Sequence, residues 1–65
     1  MTVKELITGM ENFEFMFYNR CKKFIGEYNY SRNEIKHIYN KKVLSIKDKI
    51  CPETGTSWTE VVVDL

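Results

Sequence analysis

Phe13-Glu14-Phe15-Met16-Phe17-Tyr18 alternates a large aromatic with a second residue type at every step. That period of two is the mark of a β-strand with one well-buried face, because successive side chains point to opposite sides of the sheet. Asn19 to Lys22 is polar enough to turn the chain, and Phe24 to Tyr28 reads as the returning strand of a hairpin.

Upstream the period is that of a helix. Thr2-Val3-Lys4-Glu5 fits a capping box, in which the Thr2 hydroxyl accepts from the Glu5 amide and the Glu5 carboxylate accepts from the Thr2 amide. Met1 and Leu6 occupy the positions of a hydrophobic staple, and Val3, Leu6, Ile7 and Met10 share one helical face. Gly9 weakens the last turn, and Glu11-Asn12 is expected to end it.

Downstream the same grammar returns. Ser31-Arg32-Asn33-Glu34 is a second capping box, Tyr30 and Ile35 take the staple positions, and Ile35, Ile38 and Tyr39 form the apolar face. Asn40 suits a left-handed exit. Val43 to Ile50 is strand-like, with Leu44, Ile46 and Ile50 expected on one face. Cys51-Pro52-Glu53-Thr54-Gly55 breaks the chain, since proline cannot join a ladder and glycine accepts turn geometry. Trp58 to Leu65 closes it, with Val61, Val63 and Leu65 facing one way and Trp58, Val62 and Asp64 the other.

The order predicts a single α+β domain over 1–65, an αββαββ arrangement with two short helices on one face of a small antiparallel sheet. Laid 29 residues apart, Leu6 meets Ile35, Met10 meets Tyr39 and Phe15 meets Leu44, which is compatible with an αββ duplication of 2–29 and 31–65.

Sixty-five residues bury only about 60% of their unfolded surface, so a dimer is a live expectation. Hydrophobic residues at 43% and aromatics at 14% are too many for a disordered chain. No run reaches the roughly 20 apolar residues of a membrane span, and no signal-peptide core with a cleavage site is visible, so a cytoplasmic location is expected. Two cysteines, Cys21 and Cys51, are too few for a secreted disulfide scaffold and read as thiols.

Catalysis finds little support. His37 is the sole histidine and reads as a solvated helix residue, the glycines at 9, 26 and 55 form no phosphate loop, and the carboxylates are scattered. Cys21, His37 and Cys51 lack the spacing of a zinc site. A non-enzyme without metal or cofactor is the expectation.

Binding remains. The net charge is +1, but nine basic residues between Arg20 and Lys49 face only Glu27, Glu34 and Asp48, so the middle is basic and the ends acidic. Arg20, Lys22, Lys23, Arg32, Lys36, Lys41 and Lys42, interleaved with aromatics, are the candidates for a nucleic-acid or nucleotide surface. The near balance of charge weighs against that reading. An open sheet face carrying aromatics explains more, with Tyr18, Tyr28 and Trp58 as candidate anchors for a protein partner.

The opening Thr2-Val3-Lys4-Glu5-Leu6-Ile7, the aromatic strand after it, the Val43 to Ile46 strand and the valine-rich end resemble small accessory proteins of phages and prophages of AT-rich Gram-positive bacteria. A bias to Phe, Tyr, Ile, Asn and Lys, with no Ala or Gln, goes with that origin. The resemblance implies a protein acting in the host cytoplasm that blocks a bacterial enzyme or defence system, as anti-CRISPR proteins do. It carries over no site residues. A structural subunit of a phage assembly is the remaining expectation.

Overall fold

The computed structural model describes residues 1–10 and 13–65. Glu11 and Asn12, expected to end the first helix, lie outside the described residues.

The first helix, α1, spans Val3–Ile7. Its capping box forms as the sequence requires: the Thr2 hydroxyl accepts from the Glu5 amide at 3.3 Å, and the Glu5 carboxylate accepts from the Thr2 amide at 2.7 Å. Val3, Leu6 and Ile7 are buried. The staple does not form, because Met1 is 62% exposed. Nor does Met10 join the buried face, since the helix has already ended and Gly9 turns the chain with φ +79°.

Among the described residues five strands follow: β1 Phe15–Tyr18, β2 Phe24–Asn29, β3 Arg32–Asn33, β4 Val43–Ile50 and β5 Ser57–Val63. They form one sheet in the order β3-β2-β1-β5-β4. β1 and β2 are antiparallel, as are β2 and β3, and β4 and β5. β1 and β5 are parallel, with Phe15 opposite Thr59 and Phe17 opposite Val61. The sheet is therefore mixed, where an antiparallel one was expected. The α+β class stands; the αββαββ order does not.

The second helix is replaced by a β-turn, the two-residue β3 and a 3-10 turn at Lys36–Ile38. Local side-chain bonds explain the change. The Asn29 carboxamide oxygen accepts from both the amide and the hydroxyl of Ser31, so Ser31 serves the turn rather than a helix cap. Glu34 likewise turns away, accepting from the Glu27 amide at 3.0 Å. Only one turn of apolar pattern then remains, too little to repay helix nucleation. Tyr30 makes no staple, being 82% exposed, and among the described residues the one non-glycine with positive φ is Lys22, not Asn40.

Ile35 and Ile38 still reach the core. They join Val3, Leu6, Ile7, Phe15, Phe17, Val61 and Val63 in one buried cluster on one side of the sheet. Gly26 lies beneath the incoming segment: a Cβ there would meet Glu34 Cβ at 3.0 Å and Ile35 Cγ2 at 3.2 Å. Phe13, expected to extend the buried row, is 57% exposed because the chain bends before β1 begins.

β4 takes the bounds expected of it but not the burial. Leu44, Ile46 and Ile50 are 47, 48 and 66% exposed, and the pairing shifts register between Val43 and Ser45. The core cover ends before it reaches them.

Candidate protein-interaction surface

The register sorts the side chains into two faces. Phe15, Phe17, Gly26, Tyr28, Val61 and Ile46 lie on the core side. Met16, Tyr18, Glu27, Trp58, Glu60, Val62, Lys47 and Lys49 lie on the reverse, which no helix among the described residues covers. Tyr18 stacks edge-on against Phe24, with ring centroids 5.7 Å apart. The Trp58 indole N–H points along its own strand towards Glu60 Oε2 at 3.4 Å.

Of the three aromatic candidates, Tyr18 and Trp58 thus share the open face. Tyr18 is opposite Val62, four residues along β5 from Trp58, so the two backbone positions are offset by about 13 Å along the strand direction. Tyr28 lies on the other side, half-buried against the core and 6.2 Å from the Phe15 ring.

The second exposed region is the distal half of the β4–β5 hairpin. Ile46, Asp48 and Ile50 pair with Val61, Thr59 and Ser57, which places them on the core side of the sheet. Neither α1 nor the 3-10 turn shields them. β1 still pairs with β5 at Glu60 and Thr59, so only Lys49–Ile50 and Ser57–Trp58 project beyond it as a two-stranded end of the hairpin. Near its end Phe13, Ile50 and Trp58 border a shallow depression of ≈420 Å³, together with Asp48, Lys49, Ser57 and Thr59. Apolar side chains left exposed along a hairpin are costly to leave in water and mark association sites.

The outer edge of β4 is the third element of the surface. Thr2 forms an antiparallel bridge with Lys42, and the Val43 amide donates to the Met1 carbonyl at 2.8 Å. From Leu44 onward no strand pairs with this edge among the described residues. The opposite edge of the sheet differs, since β3 is only two residues long and wholly exposed. A short edge strand is a protected edge; a long one is an invitation to pair.

The basic candidates divide between the ends of the sheet. Arg20, Lys22 and Lys23 occupy the β1–β2 turn, and Lys42 is at the same end, next to Asp64, whose amide donates to the Lys42 carbonyl. Arg20 is paired there with Asp64 at 3.5 Å. Lys41 is half-buried two residues before β4, Lys36 is exposed on the 3-10 turn, and Arg32 sits at the far end of β2, opposite Asn29.

Cys21 and Cys51 are free thiols in turns at opposite ends of the sheet, and His37 is exposed. Hydrogen bonds from the Thr54 hydroxyl, then from the Thr54 and Glu53 amides, hold the Cys51 thiol below its ordinary pKa. Among the described residues no three His, Cys, Asp or Glu side chains gather as metal ligands, and no helix is long and apolar enough to cross a membrane.

Sequence reasoning did not single out Phe13, Ile46 or Ile50 as surface. The signal was present in Ile46-Lys47-Asp48-Lys49-Ile50, where charges interrupt the apolar residues as they do on exposed edge strands. Comparison with family models, with curated proteins and with solved structures finds no match.

Proposed function

We propose that this chain is a protein-binding domain that docks through its β4–β5 hairpin and the open sheet face beside it. The observation that carries this reading is the exposure of Phe13, Ile46 and Ile50, at 57, 48 and 66%, about the β4–β5 hairpin. Trp58 is its anchor, being an aromatic with a polar N–H at the border of the depression. The mode of action is occlusion rather than chemistry. Joined to the resemblance to phage accessory proteins, this makes the partner a bacterial host or defence protein whose working surface the hairpin covers.

The competing reading places a nucleic acid against Arg20, Lys22, Lys23 and Lys42, close to the exposed Phe24. Capture with a C-terminally tagged chain decides between them. The protein reading expects a bacterial protein retained after nuclease treatment and at high salt, and lost with Ile50→Asp or Trp58→Ala. Retention only without nuclease, falling steeply with salt and insensitive to both substitutions, would transfer the function to the basic end.

A further inference from the structure

Resting on that protein-binding reading, we propose that the partner supplies an extended segment that joins the sheet as a sixth strand, antiparallel to β4. Its side chains are acidic opposite Lys47 and Lys49, and apolar opposite Ile46 and Ile50.

The edge itself sets the form of the occupant. β4 is eight residues long and its outer side is bare from Leu44. Its first rungs are already filled in this manner, by Met1 and Thr2 running antiparallel to Val43 and Lys42. An incoming strand continues a ladder that the chain has begun.

The side chains set the chemistry. Lys47 and Lys49 stand on the open face, and the one ion pair among the described residues joins Arg20 and Asp64 elsewhere. Ile46 and Ile50 stand on the other face, exposed. Because side chains alternate along a strand, an occupant satisfying both rows alternates apolar and acidic residues. Opposite Asp48, which accepts from the Thr59 hydroxyl at 3.2 Å, a hydroxyl residue fits.

The same rows reject a second copy of this chain. Pairing Ile46 with the copy's Ile50 sets Asp48 against Asp48 and Lys47 against Lys49, like charges directly opposed. Centring the pair on Ile46 instead sets Val43 against the copy's Lys49, where Met1 already occupies the edge.

The test is an amide NMR titration of the full chain. One probe is a capped peptide with the central run valine-glutamate-threonine-glutamate-valine; the other has lysine in place of both glutamates. The acidic peptide is expected to shift and protect the Leu44–Ile50 amides and to bind about tenfold tighter than the lysine peptide. The Lys47→Glu/Lys49→Glu double variant should reverse that order.

Equal binding of the two peptides would overturn the proposal. So would shifts confined to Met16 and Tyr18, protection of β4 that grows with protein concentration alone, or no binding at millimolar peptide. The broader reading fails separately, when the tagged chain retains no protein that depends on Ile50 or Trp58.

Discussion

The Val43 amide donates to the Met1 carbonyl oxygen at 2.8 Å, which ties the first residue of the chain to the first residue of β4. The Val3 amide donates to Lys41 and the Lys4 amide to Tyr39, so the start of α1 and the entry to β4 form one unit. Residues added ahead of Met1 would continue along the bare edge beyond Val43. An amino-terminal extension rich in strand-forming residues is therefore expected to protect the Leu44–Ile50 amides from hydrogen exchange and to reduce partner binding, whereas the same extension at the carboxyl end leaves both unchanged.

Thr2 closes the capping box of a helix only five residues long. Thr2→Ala should cost about 1 kcal/mol. In a domain this small that lowers the melting temperature by about 4–8 °C, readable by circular dichroism. The Glu5 carboxyl is held below its usual pKa, first by the Thr2 backbone N–H and then by the Thr2 hydroxyl. Its contribution is therefore present above the unfolded carboxyl pKa and is lost as pH falls through the folded value. Acid unfolding of Glu5→Gln should lack that component.

Gly26 is needed for space rather than for an unusual backbone angle. A methyl group there would press on Glu34 Cβ at 3.0 Å and on the Glu34 carbonyl oxygen at 3.1 Å, and backbone cannot move aside cheaply. Gly26→Ala is expected to destabilise by about 1–3 kcal/mol, measured by urea unfolding.

Phe17 is fully buried at the centre of the core, while Phe13, four residues earlier, is mostly exposed. Phe17→Ala should cost about 3–5 kcal/mol, comparable to the whole stability of a domain of this size, and leave the chain largely unfolded. Phe13→Ala should stay within about 0.5 kcal/mol and act on binding instead. A similar loss of stability from both would contradict the burial.

The Thr54 hydroxyl, followed by the Thr54 and Glu53 amides, favours the Cys51 thiolate. The folded thiol pKa is depressed, so this support for the fold is present above the unfolded thiol pKa and disappears as pH falls through the folded one. Alkylation of Cys51 by iodoacetamide should reach half its maximal rate at lower pH than in the denatured chain. Thr54→Val should move that midpoint upward.

The strands were legible because their signal is local. Phe15 and Phe17 alternate inward as read, β4 runs from Val43 to Ile50, and Val61 and Val63 face the core. The first capping box was legible for the same reason. The second was misleading, because Ser31 had a nearer acceptor in Asn29. Strand adjacency was out of reach: nothing in the residues of β1 announces that β5, rather than a neighbour in sequence, will lie at its other side. That limit also hid the exposed hairpin, since Ile46 and Ile50 lie outside the buried cluster that the strand order assembles.

The parallel pairing of β1 with β5 joins stretches of chain more than half its length apart. Until β5 docks, β1 keeps an unpaired edge and Phe17 lacks Val61 beside it. Folding therefore has to close a long loop before that contact forms, which makes it slower than a fold built from local hairpins alone.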